Sequence, residues 1–388
     1  MLFTKHPLWL VGFRPFFILA CLAGFALPIL WVLMLDGILT PPGLPPRFTP
    51  VQWHAHEMFF GFGWAVLGGF LLTATKNWVN IRGYHGAVLI ALVFAWLLER
   101  AGMWASSSLP TPLFQLSNHL FLASIVLLLL TTLVLHRKTD SYRDNLLFLV
   151  VLPTFIAAKI LLLSPDHFAL GSSMALGLFR MAFLIMLERT LTQFMKGIYQ
   201  LELMRSPWLD HSIKGLALLF VLENLMPQAL ASTIALLLAA LLLYRWFSWK
   251  PQFGFKRIDL AVMYLGTLAI AAQLLVEGLG HQFPELWFAR YSVHIFTFGT
   301  MGLIIPAMLI RISNGHTGRK VVFAAADKTV LWIMITGFLM RVVAPQFWPN
   351  AYPTWLTLAA TCWAAGFLLL GLRITPKLLA ARVDGREH

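Results

Sequence analysis

Charge is what this chain has least of. Only 12% of its 388 residues are Asp, Glu, Lys or Arg, about half the share of a soluble domain, so a solvated globular fold is excluded. Cysteine is almost absent. Cys21 and Cys362 both fall inside apolar runs, which excludes a disulfide framework and a CxxC metal motif. No glycine-rich phosphate loop and no nucleophile–base arrangement is present, so the usual signs of nucleotide chemistry and acyl transfer are missing. No internal repeat stands out, and no low-complexity segment beyond the proline-rich loop at 41–50. Short Pro/Gly-rich connections leave no room for a soluble domain, and 1–388 is expected to be one transmembrane domain.

What is abundant is apolar surface: 59% of residues are hydrophobic and the mean hydropathy is +0.77. A membrane helix needs about 20 mostly apolar residues. On that rule about twelve spans are expected, at 15–35, 52–75, 85–104, 113–135, 145–163, 171–195, 212–226, 228–248, 258–279, 287–311, 325–345 and 353–373. The split of 212–248 into two rests on Asn224, Pro227 and Gln228. Barrel strands would be far shorter, so the fold class is an all-α polytopic bundle. The run after Lys5 lacks a small-residue cleavage site and reads as the first span. The net charge of +13 is not gathered into a nucleic-acid-binding arm. Lysines and arginines instead follow the even-numbered spans, as at Lys76, Arg137, Lys196, Arg245, Arg311 and Arg373. That asymmetry places both termini in the cytoplasm, in a multi-pass protein of a bacterial inner membrane.

Three histidines stand inside these apolar runs. His54 and His56 lie in Trp53-His54-Ala55-His56-Glu57, and His294 in Tyr291-Ser292-Val293-His294. Ionisable groups in a bilayer are costly and usually serve a site, and imidazole ligates haem iron and copper. The second and tenth spans both run from outside to inside, so at ~1.5 Å per residue the three imidazoles fall at similar depths near the outer face. Thr49-Pro50-Val51-Gln52 predicts a capping box at the start of span two. If both His54 and His56 are then helical, they point about 200° apart. One is expected to face the centre with His294, the other a second ligand or a hydrogen-bond partner. His56 shares a face with Phe60 and Gly63. His294 shares one with Phe298, near Gly299 and Gly302. Such glycines admit a flat macrocycle or let helices pack closely.

Other polar residues carry separate expectations. Glu57 would accept from a histidine N–H and fix its tautomer, or favour the helix N-terminus. Arg14 and Lys159 would snorkel to the interface. Arg180 and Glu188, two turns apart in span six, each need a partner from another span. His119, His167 and His281 could add a ligand, with a solvated or hydrogen-bonded role the simpler reading. His85 and His136 read as interface residues. His316, 22 residues beyond His294, would order a loop beside Arg319 at the lipid headgroups.

These segments resemble the NnrS family of haem- and copper-containing bacterial membrane proteins. The resemblance rests on Leu10-Val11-Gly12-Phe13-Arg14-Pro15-Phe16-Phe17 and Trp53-His54-Ala55-His56-Glu57-Met58-Phe59-Phe60-Gly61-Phe62. It continues in Gly69 to Ala74 with Asn77-Trp78, and in His294 through Met301 to Gly315-His316-Thr317-Gly318-Arg319. Where the family tends to carry Gly-Arg-x-x-Pro, this chain has Glu188-Arg189-Thr190-Leu191-Thr192. The resemblance implies about twelve spans, bound haem (b-type) with copper as a second metal, and a part in resisting nitric oxide during denitrification or nitrosative stress. The layout is also similar to the large subunit of haem-copper oxidases, where spans two and ten supply haem-binding histidines. Here span six has no histidine and His211 lies at the cytoplasmic edge. An oxygen-reducing binuclear centre is therefore not expected, and haem is favoured over copper. On this reading His56 and His294 are the axial pair, His54 is the alternative or second-site ligand, and Glu57 supports them. Nitric oxide or a nitrosylated metal species is the partner, beside the lipid bilayer and a redox partner the sequence leaves open. The rival readings are a secondary transporter, suggested by Arg180, Glu188 and a helix broken at Pro306, and a nitric oxide-reducing enzyme.

Overall fold

The computed structural model describes residues 3–40, 46–283, 285 and 287–386; residues 41–45 of the proline-rich loop lie outside them. Among the described residues every regular element is helical. Eleven helices are long and apolar enough to cross a membrane. They are α1 (Phe13–Leu35), α2 (Pro50–Trp78), α3 (Ala87–Trp104), α4 (Thr111–Leu135), α5 (Arg143–Leu163) and α6 (Pro165–Tyr199). After α7 come α8 (Gln228–Ser248), α9 (Ile258–Gln282), α10 (Ser292–Gly315), α11 (Ala325–Phe347) and α12 (Pro349–Leu379). The segment between α6 and α8 is α7 (Pro207–Leu219), continued by a 3-10 turn Phe220–Leu225 that kinks at Leu222. It carries Asp210, Lys214 and Glu223, and its 13-residue helix is too short to cross a membrane, where about 20 residues are needed. This is a polytopic helical membrane protein.

The capping box of α2 is formed. Thr49 Oγ1 accepts from the Gln52 N–H at 3.2 Å and Gln52 Oε1 accepts from the Thr49 N–H at 3.1 Å, with Pro50 in the first turn. Three helices depart from α geometry in a way hydropathy does not report. Glu57–Gly63 in α2, Thr297–Gly302 in α10 and Leu339–Val343 in α11 are π-helical. A π segment widens the turn, and such segments are frequent at functional sites. Pro306 does not break α10, because Leu303–Gly315 continues through it. It has no N–H to give to the Gly302 carbonyl four residues back, and Gly302 is the last residue of the π segment.

The described residues form two compact units. The first comprises Met1–Phe168, Leu309–Val322 and Phe367–His388, and the second Ala169–Met308 and Phe323–Gly366. The first is packed on buried aromatics, among them Phe16, Phe17, Phe60, Phe62, Trp64 and Phe121. Here α1 crosses α2 on two small residues. A Cβ at Gly12 would lie 2.5 Å from Leu72 Cβ, and one at Gly69 would lie 2.7 Å from Phe16 Cβ. The Phe13 N–H donates to Thr73 Oγ1 at 2.9 Å, tying the same crossing together.

Arg14 does not snorkel. It is 1% exposed, and its Nη1 donates to the carbonyls of Leu378 (2.8 Å) and Ala380 (2.7 Å). Those are C-terminal carbonyls of α12 and its exit, which lack helical donors and favour a cation. The Gly-His-Thr-Gly-Arg loop grips the chain just beyond. The Val383 N–H donates to the Thr317 carbonyl at 3.1 Å and Arg382 Nη1 to the His316 carbonyl at 2.9 Å. Arg319 Nη1 turns back on Thr317 Oγ1 at 2.8 Å. Gly318 takes φ +79°, and a Cβ there would lie 2.7 Å from Asp384 Cγ, so glycine is required twice over.

The clasp has a built-in pH response. Burial, with Lys76 and Arg382 close by, pulls His316 down to about 4, whereas an unfolded histidine titrates near 6.5. Between those values the released chain binds the proton and the clasped chain does not, so stability falls as pH falls from about 6.5 to about 4. The protection factor of the Val383 amide, in which the pH dependence of intrinsic exchange is divided out, is therefore expected to fall across that window, and His316→Gln is expected to flatten the dependence. A protection factor unchanged from pH 7 to pH 4.5 would refute it.

Candidate functional site

His56 and His54 occupy different surroundings on α2, as their helical spacing requires. His54 is half-buried and stacks on Trp31, ring centroids 4.3 Å apart at 24°. His56 is fully buried. Its Nδ1 lies 3.0 Å from Glu57 Oε1 and its Nε2 lies 3.2 Å from Asn118 Nδ2. The amide NH2 is a donor only, so the network assigns the proton to Nδ1, which donates to Glu57, and leaves the Nε2 lone pair to accept from Asn118. A carboxylate holding one ring nitrogen while the other presents its lone pair is the arrangement that orients metal-ligating imidazoles.

Around this ring the first unit gathers four ionisable side chains, of which Glu57, Glu99 and Lys159 are buried and Arg100 is 13% exposed. Glu57 Oε2 lies 3.3 Å from Arg100 Nε, and Glu99 Oε1 lies 2.6 Å from Arg100 Nη2 and 2.5 Å from Lys159 Nζ. Glu99 Oε1 is also 3.4 Å from His56 Nε2. Lys159 Nζ also donates to the Asn118 carbonyl, and Asn118 Nδ2 reaches Met103 Sδ at 3.3 Å. Glu99 and Lys159 are both 0% exposed, so the two acids and two bases balance where water cannot screen them. Lys159 is thus an ion-pair partner and not a snorkelling residue. The π segment makes room for this cluster. A Cβ at Gly61 would collide with Arg100 Nη1, and the Gly61 carbonyl accepts from Trp96 Nε1 at 3.0 Å.

Asn118 also lines a pocket of about 340 Å³ with Arg47, Phe48, Phe114 and His119. That volume lies in the ~300–1,000 Å³ range of small-molecule sites. Arg47 sits over the Phe114 ring at 4.7 Å and donates to the Leu109 carbonyl at 3.2 Å, holding one wall. Asn118 therefore touches both the His56 lone pair and this pocket.

His294 belongs to the second unit. It stands in the first turns of α10, and Arg341 Nη2, from the π segment of α11, lies 3.2 Å from its Nε2 and 3.3 Å from its Nδ1. His56 and His294 share a short pattern: each has Phe at the fourth following position and Gly at the fifth, and each is followed by a π segment. The glycines beside His294 are occupied by neighbouring helices. A Cβ at Gly299 would lie 2.8 Å from both Ala269 Cβ and Phe338 Cε2, and one at Gly302 would lie 2.8 Å from Trp363 Cζ3. They serve helix packing.

A second buried polar cluster lies in this unit. Arg180 is 0% exposed; its Nη1 donates to Gln273 Oε1 at 2.8 Å and its guanidinium lies over the Phe220 ring at 4.8 Å. Gln273 Nε2 reaches Glu277 Oε2 and Ser292 Oγ, each at 3.1 Å. Glu188 pairs with Lys214 at 2.5 Å. Two of the other histidines make ordinary polar contacts. His167 meets Ser164 Oγ and His85 the Gly83 carbonyl, each at 3.0 Å, and both are exposed.

Fold and site together define a multi-pass helical membrane protein with ionisable side chains buried inside it. The family model described as NnrS protein matches residues 7–382, nearly the whole chain, and the chain belongs to that family. No curated protein matches it.

Proposed function

We propose that this chain is a haem protein of the bacterial inner membrane that handles nitric oxide or nitrosylated metal species, with copper as the alternative metal. The single observation that supports it most is the buried His56, its Nδ1–H fixed by Glu57 and its Nε2 left as a lone pair. His56 in the first unit and His294 in the second are the proposed ligands, with His54 a third candidate. When bound, haem iron supplies reversible binding of small diatomic ligands and one-electron exchange. The chain's own residues prepare for that. Glu57 fixes the tautomer, and Asn118 holds the Nε2 lone pair from the side of the pocket. Phe48 and Phe114 give that pocket apolar walls suited to a small uncharged molecule, while Glu99, Arg100 and Lys159 keep the surroundings electrically balanced.

The absorption spectrum of the purified protein, with haem extraction and elemental analysis, tests this. A Soret band is expected, lost for the most part in His56→Ala and in His294→Ala, with metal affinity weakened about 10–100-fold in Glu57→Gln. A colourless protein, or full haem content in both alanine variants, sinks the proposal. The buried charges also suit a secondary transporter, where intramembrane ions mark proton or substrate paths. A colourless preparation would favour that reading.

A further inference from the structure

We infer that Glu223, Glu277 and His281 form a binding site for a divalent transition-metal ion within the second unit, separate from the histidine motifs. Ligand atoms of the three side chains lie within 4.8 Å of one another. They come from two elements. Glu277 and His281 are four residues apart on α9, which puts both on one face. Glu223 comes from the 3-10 turn at the kink that ends α7. The turn presents the carboxylate across from the α9 face, and the kink at Leu222 is the local departure that allows it.

Two further observations point to a ligand. Glu223 is only 4% exposed, yet its Oε2 has no hydrogen-bond partner. His281 Nε2 lies 3.7 Å from it, too far for a hydrogen bond and a normal separation for two atoms ligating one ion. His281 Nε2 likewise has no hydrogen-bond partner. A buried carboxylate oxygen left in that state is costly unless something binds it. The third ligand is held from behind. Gln273 Nε2 and Ser292 Oγ both donate to Glu277 Oε2, and Arg180 in turn holds Gln273. That leaves Glu277 Oε1 to face the site. Outer-shell donors of this kind orient ligating carboxylates. Gln228 Nε2 fixes the backbone at His281 through its carbonyl.

Two carboxylates and one imidazole suit a borderline divalent ion such as zinc, cobalt(II) or manganese. The charges agree. Two glutamates face the site with Arg180 as the nearby cation, so a divalent ion adds positive charge where a carboxylate would otherwise go without a partner.

The test uses the full-length protein, purified without a polyhistidine tag, treated with a chelator and titrated with Co²⁺ and then Zn²⁺. Uptake of a single equivalent is expected, with visible d–d bands of an oxygen- and nitrogen-ligated cobalt that Zn²⁺ abolishes. Glu277→Gln and His281→Asn should weaken uptake at least 10-fold, and Ser292→Ala by about 10-fold, while His167→Ala should leave it unchanged. Haem content measured on the same samples separates this site from the proposed histidine ligands: loss of cobalt uptake with full haem content is the expected pattern. No stoichiometric uptake by the wild-type protein overturns the inference. So does uptake undiminished in both ligand variants, and should those two misfold, the folded Ser292→Ala protein decides.

Discussion

Replacing Lys159 by methionine should cost about 3–5 kcal/mol of stability, the usual effect of removing one partner from a buried ion pair. Methionine keeps most of the volume, so the loss reports charge and not packing. Lys159 Nζ lies 2.5 Å from Glu99 Oε1, and both side chains are 0% exposed. The variant leaves Glu57 and Glu99 sharing the single cation Arg100. Glu99→Gln should also destabilise, because it strands Lys159 beside the Asn118 carbonyl. The double variant Lys159→Met, Glu99→Gln should regain most of the loss, since a neutral amide beside a thioether no longer carries an unpaired charge. Thermal unfolding of the four proteins in detergent gives the coupling directly. If the two single effects simply add, the pair is not buried as described and the cluster around His56 has another basis.

Much of the fold was legible because span length and apolar content are local properties. So was the start of α2, where Thr49, Pro50 and Gln52 carry their capping chemistry within four residues. The Glu57–His56 contact was legible for the same reason, since it joins neighbours. The partners that complete the site come from other spans: Asn118 on α4, Lys159 on α5, and Glu99 with Arg100 on α3. Hydropathy marks Glu99 and Arg100 as charges inside an apolar run but names no partner, and Lys159 read as a snorkelling residue for want of one. The π segments were invisible because they follow from packing, as at Gly61, where a wider turn accommodates Arg100 and Trp96. Gly299 and Gly302 admitted two readings, and only the positions of Phe338, Ala269 and Trp363 chose helix packing. Arg14 was misread because its acceptors lie more than 360 residues away, at Leu378 and Ala380.

Arg180→Met in the second unit should cost about 3 kcal/mol or more, for the same reason in different geometry. Arg180 is fully buried and hydrogen-bonded to Gln273, with Glu223 and Glu277 the charges it faces. Without it, His281 is the basic group beside the two carboxylates among the described residues. An imidazole ordinarily gains its proton between pH 8 and pH 5, so the loss should be larger at pH 8 than at pH 5. Arg180→Lys should recover only part of it. A lysine places a compact ammonium where the guanidinium donates to Gln273 and spreads its charge, and it cannot present a flat face to Phe220. Unfolding midpoints in detergent at the two pH values check this. A divalent ion at Glu223, Glu277 and His281 would itself supply the missing charge. Added Zn²⁺ is therefore expected to raise the unfolding temperature of Arg180→Met more than that of the wild-type protein, because bound ion stabilises by mass action and here replaces a lost counter-charge. An Arg180→Met protein that is as stable as wild type at pH 8, with or without zinc, would show that the buried acids of this unit carry no charge for Arg180 to balance.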